Sequence, residues 1–396
     1  MLVAVIGGNL QGVEATYLAK KAGWEVLVID RKSVVPAKGL CDRFKQLDVT
    51  AEKNMSNAFK GVDLVIPALE NDAALACLNQ STQNTCIPFA FDLEAYSITS
   101  SKRKSDPLFS RIGVPTPLPW PKCGFPVVAK PSVGSGSQGV KVYYDSESFH
   151  AQVNESDDNW VLQEYVNGPS YSIEVIGYPG HYTPLQVTDL EMDADYDCKR
   201  VIAPTDLSRT LVSDFQQISI SLANGLQLKG LMDIEVILHD HKLKVLEIDA
   251  RLPSQTPTAA YWSAGFNMVQ MLGDLFLSQG EINLESMQSP KSVIYEHIQK
   301  MPNLLEVAGE HIMSGVDPLY IQQNFFGADE AITNFAPNRA EWVATLIVVE
   351  ENRKAAWTKR NRVIADIQQH FNIKVYRDAS PMGGNTLQKN LLGNLS

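Results

Sequence analysis

The sequence predicts a multidomain fold in which a doubly wound α/β domain precedes an α+β domain and a small C-terminal α/β lobe. Buried apolar runs alternate with helical segments over residues 1–100, as in VAVI (3–6), EVLVID (25–30) and DLVIPAL (63–69). Such alternation is typical of a parallel sheet that is covered by helices. The spacing predicts a helix over 11–22, between the first two strands.

The second and third parts follow a polar boundary near SSKRKSD (100–106). Residues 101–279 mix short strands and hairpins with helices, which favours an α+β arrangement. Residues 280–396 contain two clear strands, SVIYEHI (292–298) and WVATLIVVE (342–350), and carry no catalytic motif. We therefore expect domain boundaries after residues 100 and 279, with the last lobe completing the wall of a cleft.

Composition and charge exclude several classes of protein. The net charge is −11, whereas a nucleic-acid surface needs clustered Lys and Arg. No apolar run reaches the ~18 residues of a membrane span. The five cysteines are widely spaced and include no CxxC pair, which favours reduced thiols over a disulfide framework or a zinc site. We expect a cytoplasmic protein that binds small molecules, and its oligomeric state stays open.

A glycine- and serine-rich loop at 131–139 is the first segment whose residues indicate a binding function. It follows an apolar strand that ends at Lys130, and a strand resumes with VKVYY (140–144). A hairpin needs only about two to five loop residues, so a longer loop with unobstructed N–H groups suits a lid over phosphate oxygens. Lys130 would place a positive charge on the same phosphates. The alternative is a flexible surface connection, since glycine and serine alone also indicate a linker.

A strand that stops beside this loop offers a place for a nucleotide base. WVLQEYV (160–166) ends at a break formed by Asn-Gly-Pro at 167–169. Backbone groups of Glu164 and Val166 can there give adenine one acceptor and one donor. Most such strands belong to a core, and the order of the two segments favours the nucleotide.

The strongest signal is an acidic hairpin within 231–251. Two strands flank HDHK, and a three-residue loop over 240–242 predicts how they pair. The predicted opposite pairs are His239 with Leu243, Ile237 with Val245, Glu235 with Glu247, and Asp233 with Asp249. These residues share one face because side chains alternate along a strand. The opposite, apolar face is predicted to carry Ile234, Val236, Leu246 and Ile248.

Four carboxylates on one face of a hairpin need a cation. Opposed Cβ atoms lie about 4.5–5.5 Å apart, where like charges destabilise a sheet. Oxygen-only ligands favour Mg²⁺ or Mn²⁺, which also bridge nucleotide phosphates. The alternative is an exposed acidic face. His239 and His241 lie at the turn without a third ligand nearby in sequence, so no zinc site is predicted. Arg251 continues the acidic face and is either a ligand for a carboxylate or phosphoryl group or a surface side chain.

The order of these parts resembles the ATP-grasp superfamily. A strand lysine, a glycine-rich lid, a QEYV hinge and an E…EID hairpin follow one another over about residues 100–275. The resemblance implies a Rossmann-like domain before an ATP-grasp domain, with phosphate binding by Lys130. A second, earlier lysine of the superfamily falls on Lys102 or Lys104, and spacing slightly favours Lys102. The implied magnesium ligands are Glu235, Glu247 and Asp249, the last standing where the superfamily usually has Asn.

A narrower likeness covers the whole chain. Segments such as DADYDCKRVIAPTDLS (193–208) and RLPSQTPTAAYWSAGFNMVQMLGDLF (251–276) are similar to the 3-methylornithine–L-lysine ligases of pyrrolysine biosynthesis. That likeness implies an ADP-forming ligase that activates 3-methyl-D-ornithine as an acyl phosphate and transfers it to the ε-amine of L-lysine. Two magnesium ions are expected, with manganese able to substitute. From the chemistry of this reaction we expect Lys130 and Arg251 to be catalytic, and Asp233 either to take the proton of the amine or to orient it. The wider superfamily alone leaves open another amino-acid ligase or a carboxylase.

The N-terminal loop IGGNLQG (6–12) imitates a dinucleotide fingerprint, because it follows a strand, opens a helix and precedes Asp30. Asn9 stands where a pyrophosphate needs close approach, so an NAD-dependent dehydrogenase is the weaker alternative. It also leaves the lid and the acidic hairpin without a role. We expect lysine at Leu10 and Asp72, or alternatively a nucleotide on the helix N-terminus.

Two sets of contacts follow from these expectations. The expected nucleotide contacts are Lys102, Lys104, Lys130, Pro131, Ser135, Gln138, Gly139, Gln163, Glu164, Tyr165, Val166, Gln11, Gly12 and Arg31. The expected substrate contacts are Leu10, Glu70, Asp72, Ser170, Tyr171, Asp233, Asp249, Arg251 and Ser254.

Overall fold

The computed structural model of the chain describes residues 1–51, 55–133, 139–154, 157, 159–277 and 289–381. Two predicted nucleotide contacts, Ser135 and Gln138, lie outside the described residues. No helix in the described ranges has both the length and the apolar character that crossing a membrane requires.

The first hundred residues contain a parallel four-stranded sheet. Its strands are β1 (Leu2–Ile6), β2 (Glu25–Asp30), β3 (Arg43–Gln46) and β4 (Leu64–Pro67), with helices α1 (Leu10–Lys21), α2 (Asp72–Thr85) and α3 (Leu93–Thr99). The order is β3-β2-β1-β4, and every neighbouring pair is parallel. Every residue of β1 is buried, which explains its continuous apolar sequence. The carboxyl ends of the strands share one edge, so the loops that follow them meet there.

A small antiparallel sheet comes next. Helix α4 (Lys102–Ile112) leads into β5 (Val127–Pro131), β6 (Lys141–Tyr143), α5 (Ser146–Gln152) and β7 (Trp160–Glu164). The strand order is β6-β5-β7. The predicted lid connects β5 to β6, so it leaves this sheet at the end that carries Lys130.

The rest of the chain builds one large sheet. Its strands are β8 (Ser170–Tyr178), β9 (His181–Pro184), β10 (Thr188–Met192), β11 (Cys198–Ala203), β12 (Gly230–His239), β13 (Lys242–Asp249), β14 (Ser292–Lys300), β15 (Leu304–Val307), β16 (Tyr320–Gln323), β17 (Glu330–Thr333), β18 (Trp342–Glu350) and β19 (Val375–Asp378). Its helices are α6 (Arg209–Leu226), α7 (Thr256–Ala264), α8 (Met268–Leu277) and α9 (Arg353–Phe371). The main path is β13-β12-β8-β10-β11-β14-β18-β17-β16. Because β11 pairs with β14, a boundary after residue 279 would divide strands of one sheet.

The turn of the acidic hairpin differs from the prediction. It contains two residues, Asp240 and His241, which both have positive φ (48° and 62°), and His239 faces Lys242. Such two-residue turns match the natural twist of paired strands. The predicted three-residue loop over 240–242 is therefore wrong.

A β-bulge on β13 restores the carboxylate pairing. The observed pairs include Asp233 with Asp249, Glu235 with Glu247, Val236 with Val245, and Ile237 with Lys244. Leu246 is the extra residue, so the shift introduced by the shorter turn is cancelled before Glu247 is reached. The predicted pairing of Ile237 with Val245 is wrong. Val245 was predicted on the acidic face and Leu246 on the apolar face, and the structure places each on the other face. Val245 packs in the core, whereas Leu246 stays half-buried.

One large apolar cluster fixes the N-terminal sheet against the rest of the molecule. It contains Leu18 of α1, Ala260 of α7 and Leu272 of α8. The Trp262 indole N–H also donates to the buried Tyr17 hydroxyl of α1 (2.8 Å). The carboxyl edge of the parallel sheet is thereby held facing the acidic hairpin.

Candidate active site

A cavity of about 170 Å³ lies between the small sheet and the acidic hairpin. Part of its wall is apolar and includes Val128, Val142, Ile237 and Leu246. Its charged residues are Lys102, Lys130, Glu164, Glu235 and Glu247. An apolar slot with a few charged groups suits a ligand that has a flat ring and a charged tail. We call this space the nucleotide cavity.

Lys130 is buried in the nucleotide cavity. Its Nζ donates weakly to the Leu246 carbonyl (3.4 Å), and burial lowers the pKa of Lys130 to about 8. Lys102 lines the same cavity, and its Nζ lies 3.1 Å from Glu247 Oε1. Lys104 does not line it, because its Nζ donates to the Ser97 carbonyl (3.0 Å) on the exposed side of α4. The geometry therefore favours Lys102 over Lys104.

The predicted hinge also borders this cavity. The Glu164 N–H donates to the Leu118 carbonyl (2.8 Å), and the Glu164 carboxylate binds Lys244 (2.7 Å). The Val166 N–H has no hydrogen-bond partner in the described part of the chain, so Val166 is the donor available to a ligand. Further predicted nucleotide contacts that line the cavity are Pro131, Gln163 and Tyr165. Gly139, at the end of the lid, has a φ of +78° and packs near Pro131.

The four carboxylates of the hairpin stand together as predicted. Asp233 is buried and accepts a short hydrogen bond from the Ser172 hydroxyl. Burial raises the pKa of Asp233, Glu235 and Asp249, and the neighbouring carboxylates raise those of Glu235 and Asp249 further. Crowded carboxylates hold protons unless a cation compensates them. The donor set, all oxygen and mutually repelling, fits hard divalent cations.

Arg251 connects the hairpin to the N-terminal sheet. Its Nη2 lies 3.1 Å from Asp249 Oδ2, and its Nε lies 2.8 Å from Glu70 Oε1. The second contact is an ion pair without the alignment of a hydrogen bond. The side chain is only 12% exposed, which excludes the surface arginine that the sequence left open.

A second cavity, of about 610 Å³, lies at the carboxyl edge of the parallel sheet. We call it the N-terminal cavity. The predicted residues that line it are Leu10, Gln11, Arg31, Glu70, Arg251 and Ser254. Gln11 Nε2 donates to Glu70 Oε1 (2.7 Å), which fixes the carboxylate from one side.

Two residues predicted for this region do not reach the N-terminal cavity. A Cβ on Gly12 would lie 2.1 Å from the Gly7 carbonyl oxygen, so Gly12 allows α1 to pack closely against the loop that precedes it. Asp72 is exposed at the first position of α2. Asp30, the acid of the apparent dinucleotide fingerprint, accepts the Gly8 and Lys32 N–H groups (both 2.8 Å) and is thus used within the loop.

A third, smaller cavity of about 110 Å³ joins the other two, and we call it the middle cavity. It shares Glu235 and Glu247 with the nucleotide cavity, and Arg251 and Ser254 with the N-terminal cavity. Asp233 and Asp249 also line it. Three compartments therefore follow one another, with the carboxylates at one junction and the arginine at the other.

The segment after Arg251 makes a tight turn at the middle cavity. Gln255 has φ 77° and ψ −62°, and the Thr256 N–H donates to the Ser254 carbonyl (3.0 Å). A γ-turn of this positive-φ form is rare and strained, and such strain is often found at ligand sites.

Two further predicted substrate contacts lie on β8. Ser170 lines the nucleotide cavity, whereas Tyr171 packs in the core and lines none of the three cavities.

Sequence reasoning missed several residues in or beside the cavities. Glu174 of β8 lines none of the three, but it pairs with Asp233, is fully buried and accepts a short hydrogen bond from Thr256. Tyr196 lines the nucleotide and middle cavities, and Glu310 lines the middle and N-terminal cavities. The alternation of SYSIEV places Glu174 on one face with Ser172, but no local signal pairs β8 with β12. For Glu310 the sequence offers no signal.

Comparison with known proteins decides the family. The ATP-grasp domain family (ATP-grasp_3) matches residues 99–255. The 3-methyl-D-ornithine–L-lysine ligase of Methanosarcina acetivorans is 35% identical over 379 residues, which cover 94% of this chain and 99% of that protein. This chain belongs to the 3-methyl-D-ornithine–L-lysine ligase family. The family's ligase of Methanosarcina mazei is also 35% identical and matches over 93% of this chain and 96% of its own length.

Membership of this ligase family identifies the chain as an ATP-dependent ligase that forms carbon–nitrogen bonds, and it rules out the dehydrogenase alternative. Solved structures agree on the fold. Biotin carboxylase from Campylobacter jejuni superposes with a TM-score of 0.69 at 15% identity, covering 92% of this chain and 91% of its own. N5-carboxyaminoimidazole ribonucleotide synthetase from Thermotoga maritima gives 0.64 at 19%, covering 92% and 98%. The predicted multidomain ATP-grasp fold is confirmed.

Proposed function

We propose that this ligase joins the carboxylate of 3-methyl-D-ornithine to the ε-amine of L-lysine, as a step of pyrrolysine biosynthesis. ATP is cleaved to ADP and phosphate, and the ornithine carboxylate is activated as an acyl phosphate. One observation carries the proposal: three cavities in series, of which the first suits a nucleotide, the second holds the reacting groups and the third suits an amino acid. The named activity of the 35% identical relatives supports the choice of substrates.

The nucleotide cavity is the proposed ATP site. The Val166 N–H receives the adenine ring, and Lys130 and Lys102 bind the phosphates. Most of the predicted lid, residues 134–138, lies outside the described part of the chain. Lys130 has a lowered pKa because it is buried, and an anionic phosphate beside it would raise that pKa again by favouring the charged form. The cost of burying this lysine is thus offset when the nucleotide binds.

Glu235, Glu247 and Asp249 are the proposed ligands of two magnesium ions, for which manganese can substitute. The fit rests on the crowding of these carboxylates, since the raised pKa values of Glu235 and Asp249 call for cations. When bound, magnesium neutralises phosphate charge and favours phosphoryl transfer. The ligase's own residues then act on the acid: Arg251 holds the ornithine carboxylate in the middle cavity and stabilises charge on the acyl phosphate. Asp233, Ser170 and Ser254 line the path of this substrate.

Activation is needed because a free carboxylate is a poor acyl donor. Its leaving group would be an oxide, whereas the γ-phosphoryl group of ATP turns that oxygen into part of a good leaving group. The phosphoryl group that is transferred, with its negative charge, lies between Lys130 on one side and Arg251 on the other. Both are enclosed, which strengthens their electrostatic effect relative to water.

The N-terminal cavity is the proposed lysine site, carried by a Rossmann-like domain. Glu70 offers a carboxylate to an ammonium group, and Leu10 packs against the aliphatic chain. Arg31 offers a cation to the lysine carboxylate at the outer side. Glu70 replaces Asp72 in this role, because it lines the cavity and Asp72 does not. We place Gln11 and Arg31 at lysine rather than at the nucleotide, whose site lies on the far side of the hairpin.

The nucleotide product tests the reaction. The proposed route releases ADP, and oxygen-18 from the ornithine carboxylate should appear in the released phosphate. A mass spectrum of the product from L-lysine, ATP and 3-methyl-D-ornithine should show their amide. Release of AMP, or unlabelled phosphate, would overturn the acyl-phosphate route.

We also propose that the ligase acts in the cytoplasm on small molecules alone. All five cysteines are unpaired, which is the usual state of thiols in a reducing compartment.

A further inference from the structure

A carboxylate from the C-terminal part of the chain stands where the middle and N-terminal cavities meet. Glu310 is the first residue of the short 3₁₀ helix Glu310–Met313 and lines both cavities. The Ser254 hydroxyl donates to Glu310 Oε2 (2.6 Å). Glu310 therefore lies between the proposed lysine site and the proposed site of the acyl phosphate.

The neighbours of Glu310 fix its position. The Gly309 N–H donates to Asp193 Oδ2 (2.8 Å), and the His311 N–H donates to Asp197 Oδ2 (3.0 Å). Asp193 also accepts the Asp197 N–H through Oδ1 (3.0 Å). Asp193, Asp197 and His311 lie close enough together to suggest a metal site. Both Asp193 oxygens instead accept backbone N–H groups, and Asp197 Oδ2 also lies 2.6 Å from the His311 ring Nδ1. The cluster therefore positions the turn that presents Glu310.

Glu310 has no cationic partner in the described part of the chain. Its hydrogen bond comes from the neutral Ser254, and the guanidinium of Arg251 is paired with Asp249 and Glu70. Burial raises the pKa of Glu310, and the charge of Asp197 adds to this, whereas Ser254, Gln255 and Arg251 act in the opposite direction. A half-buried carboxylate without a counterion is costly, and a cationic ligand reduces that cost.

A second polar group points into the same space. Gln255 is 5% exposed and lines the middle cavity, and its Oε1 atom has no hydrogen-bond partner among the described residues. A buried carbonyl oxygen normally finds a donor. A primary ammonium group carries three N–H donors, so one such group can satisfy both Glu310 and Gln255.

We propose that Glu310 binds the attacking amino group of the acceptor substrate, with Gln255 as its second acceptor, and removes the proton that keeps this amine unreactive. The inference rests on the proposed function and names the residue that prepares the nucleophile. It replaces Asp233 in that role, because Asp233 lines only the middle cavity and is held by the Ser172 hydroxyl.

The ε-ammonium group, whose ordinary pKa is about 10.4, loses one proton to Glu310 and so exposes its lone pair. The nitrogen attacks the acyl carbon, a carbon–nitrogen bond forms, and the carbon–oxygen bond to phosphate breaks. The phosphate leaves with the electron pair and takes the second proton of the nitrogen. Glu310 then releases its proton to water.

The test separates activation of the acid from use of the amine. Hydroxylamine is neutral near pH 7, so it traps an acyl phosphate as a hydroxamate without needing a base. We expect Glu310→Gln to form hydroxamate from 3-methyl-D-ornithine and ATP at the wild-type rate. Amide formation with L-lysine should fall by about 100-fold or more, as for loss of a general base. The KM for L-lysine should also rise. The exposed carboxylate of Glu341, changed to Gln, is the matched control and should alter neither rate.

Each outcome decides between the two proposals. If the wild type forms no hydroxamate, the proposed function fails. If the wild type does form it, and Glu310→Gln either keeps amide formation or loses both reactions equally, the role of Glu310 is refuted. Glu310→Asp keeps the charge and withdraws it by one methylene. It should show an intermediate rate with lysine and a normal rate with hydroxylamine, so it carries the test if the Gln variant does not fold.

Discussion

Replacing Lys130 with methionine should make the free protein more stable while it destroys ATP use. Lys130 is buried, and burial lowers its pKa from 10.5 to about 8. At about 1.36 kcal/mol per pKa unit, the difference between the ordinary and the lowered pKa of Lys130 reduces the free energy of unfolding by roughly 3 kcal/mol. Methionine fills a similar volume without a charge. The hydrogen bond to Leu246 that it loses is long (3.4 Å) and worth at most about 1 kcal/mol. We therefore expect a gain of about 2–3 kcal/mol at pH 7.

The pH dependence gives this prediction its sign. The pKa of Lys130 is lower in the folded protein, about 8, than its ordinary value of 10.5. The free energy of unfolding therefore decreases as the pH falls from 10.5 towards about 8, and below that pH the loss of stability is complete. The advantage of Lys130→Met should thus be full at pH 7 and vanish above pH 10.5. Urea unfolding of both proteins at several pH values measures it, and Lys104→Met is the exposed control on α4. A variant no more stable than wild type at pH 7, or an advantage that persists at high pH, would refute the reasoning.

Three further predictions follow from the cavities. Glu247→Gln should nearly abolish ADP release at ordinary magnesium concentration with the circular dichroism spectrum unchanged, and retained turnover would remove Glu247 from the proposed metal site. Glu70→Ala should raise the KM for L-lysine by at least about tenfold, as for loss of a charge-assisted contact. Asp72→Ala should leave this KM unchanged. The opposite result would show that Asp72, and not Glu70, contacts the lysine. In Gly309→Ala the new Cβ would lie 2.2 Å from Asp197 Oδ2. That displaces the turn before Glu310, so amide formation should fall more than hydroxamate formation, and equal losses would contradict the positioning role.

The local patterns of the chain predicted much of the site. The alternation of strand side chains was enough to oppose Glu235 to Glu247 and Asp233 to Asp249. It succeeded although the turn was wrong, because the bulge at Leu246 cancels the shift. A bulge depends on backbone packing against neighbours, so no residue pattern within the hairpin reveals it.

Contacts between distant segments could not be predicted in this way. Glu174 reaches the carboxylate group only through the pairing of β8 with β12, and Glu310 is separated from the hairpin by about sixty residues of sequence. The C-terminal strands carry no motif, yet they extend the central sheet through the β11–β14 pair. Their role is set by tertiary packing, which residue periodicity does not encode.

The separation of the cavities also has an evolutionary consequence. The outer wall of the N-terminal cavity comes from the ends of the parallel strands, at residues 8–11, 30–31 and 47–50. None of these segments touches the nucleotide cavity, and the acidic hairpin contributes nothing to that outer wall. Loop replacements at those three positions can therefore change which amine is accepted while the activation chemistry is inherited intact. Enzymes that couple the same activated acid to other amines are most readily obtained there, by selection or by design.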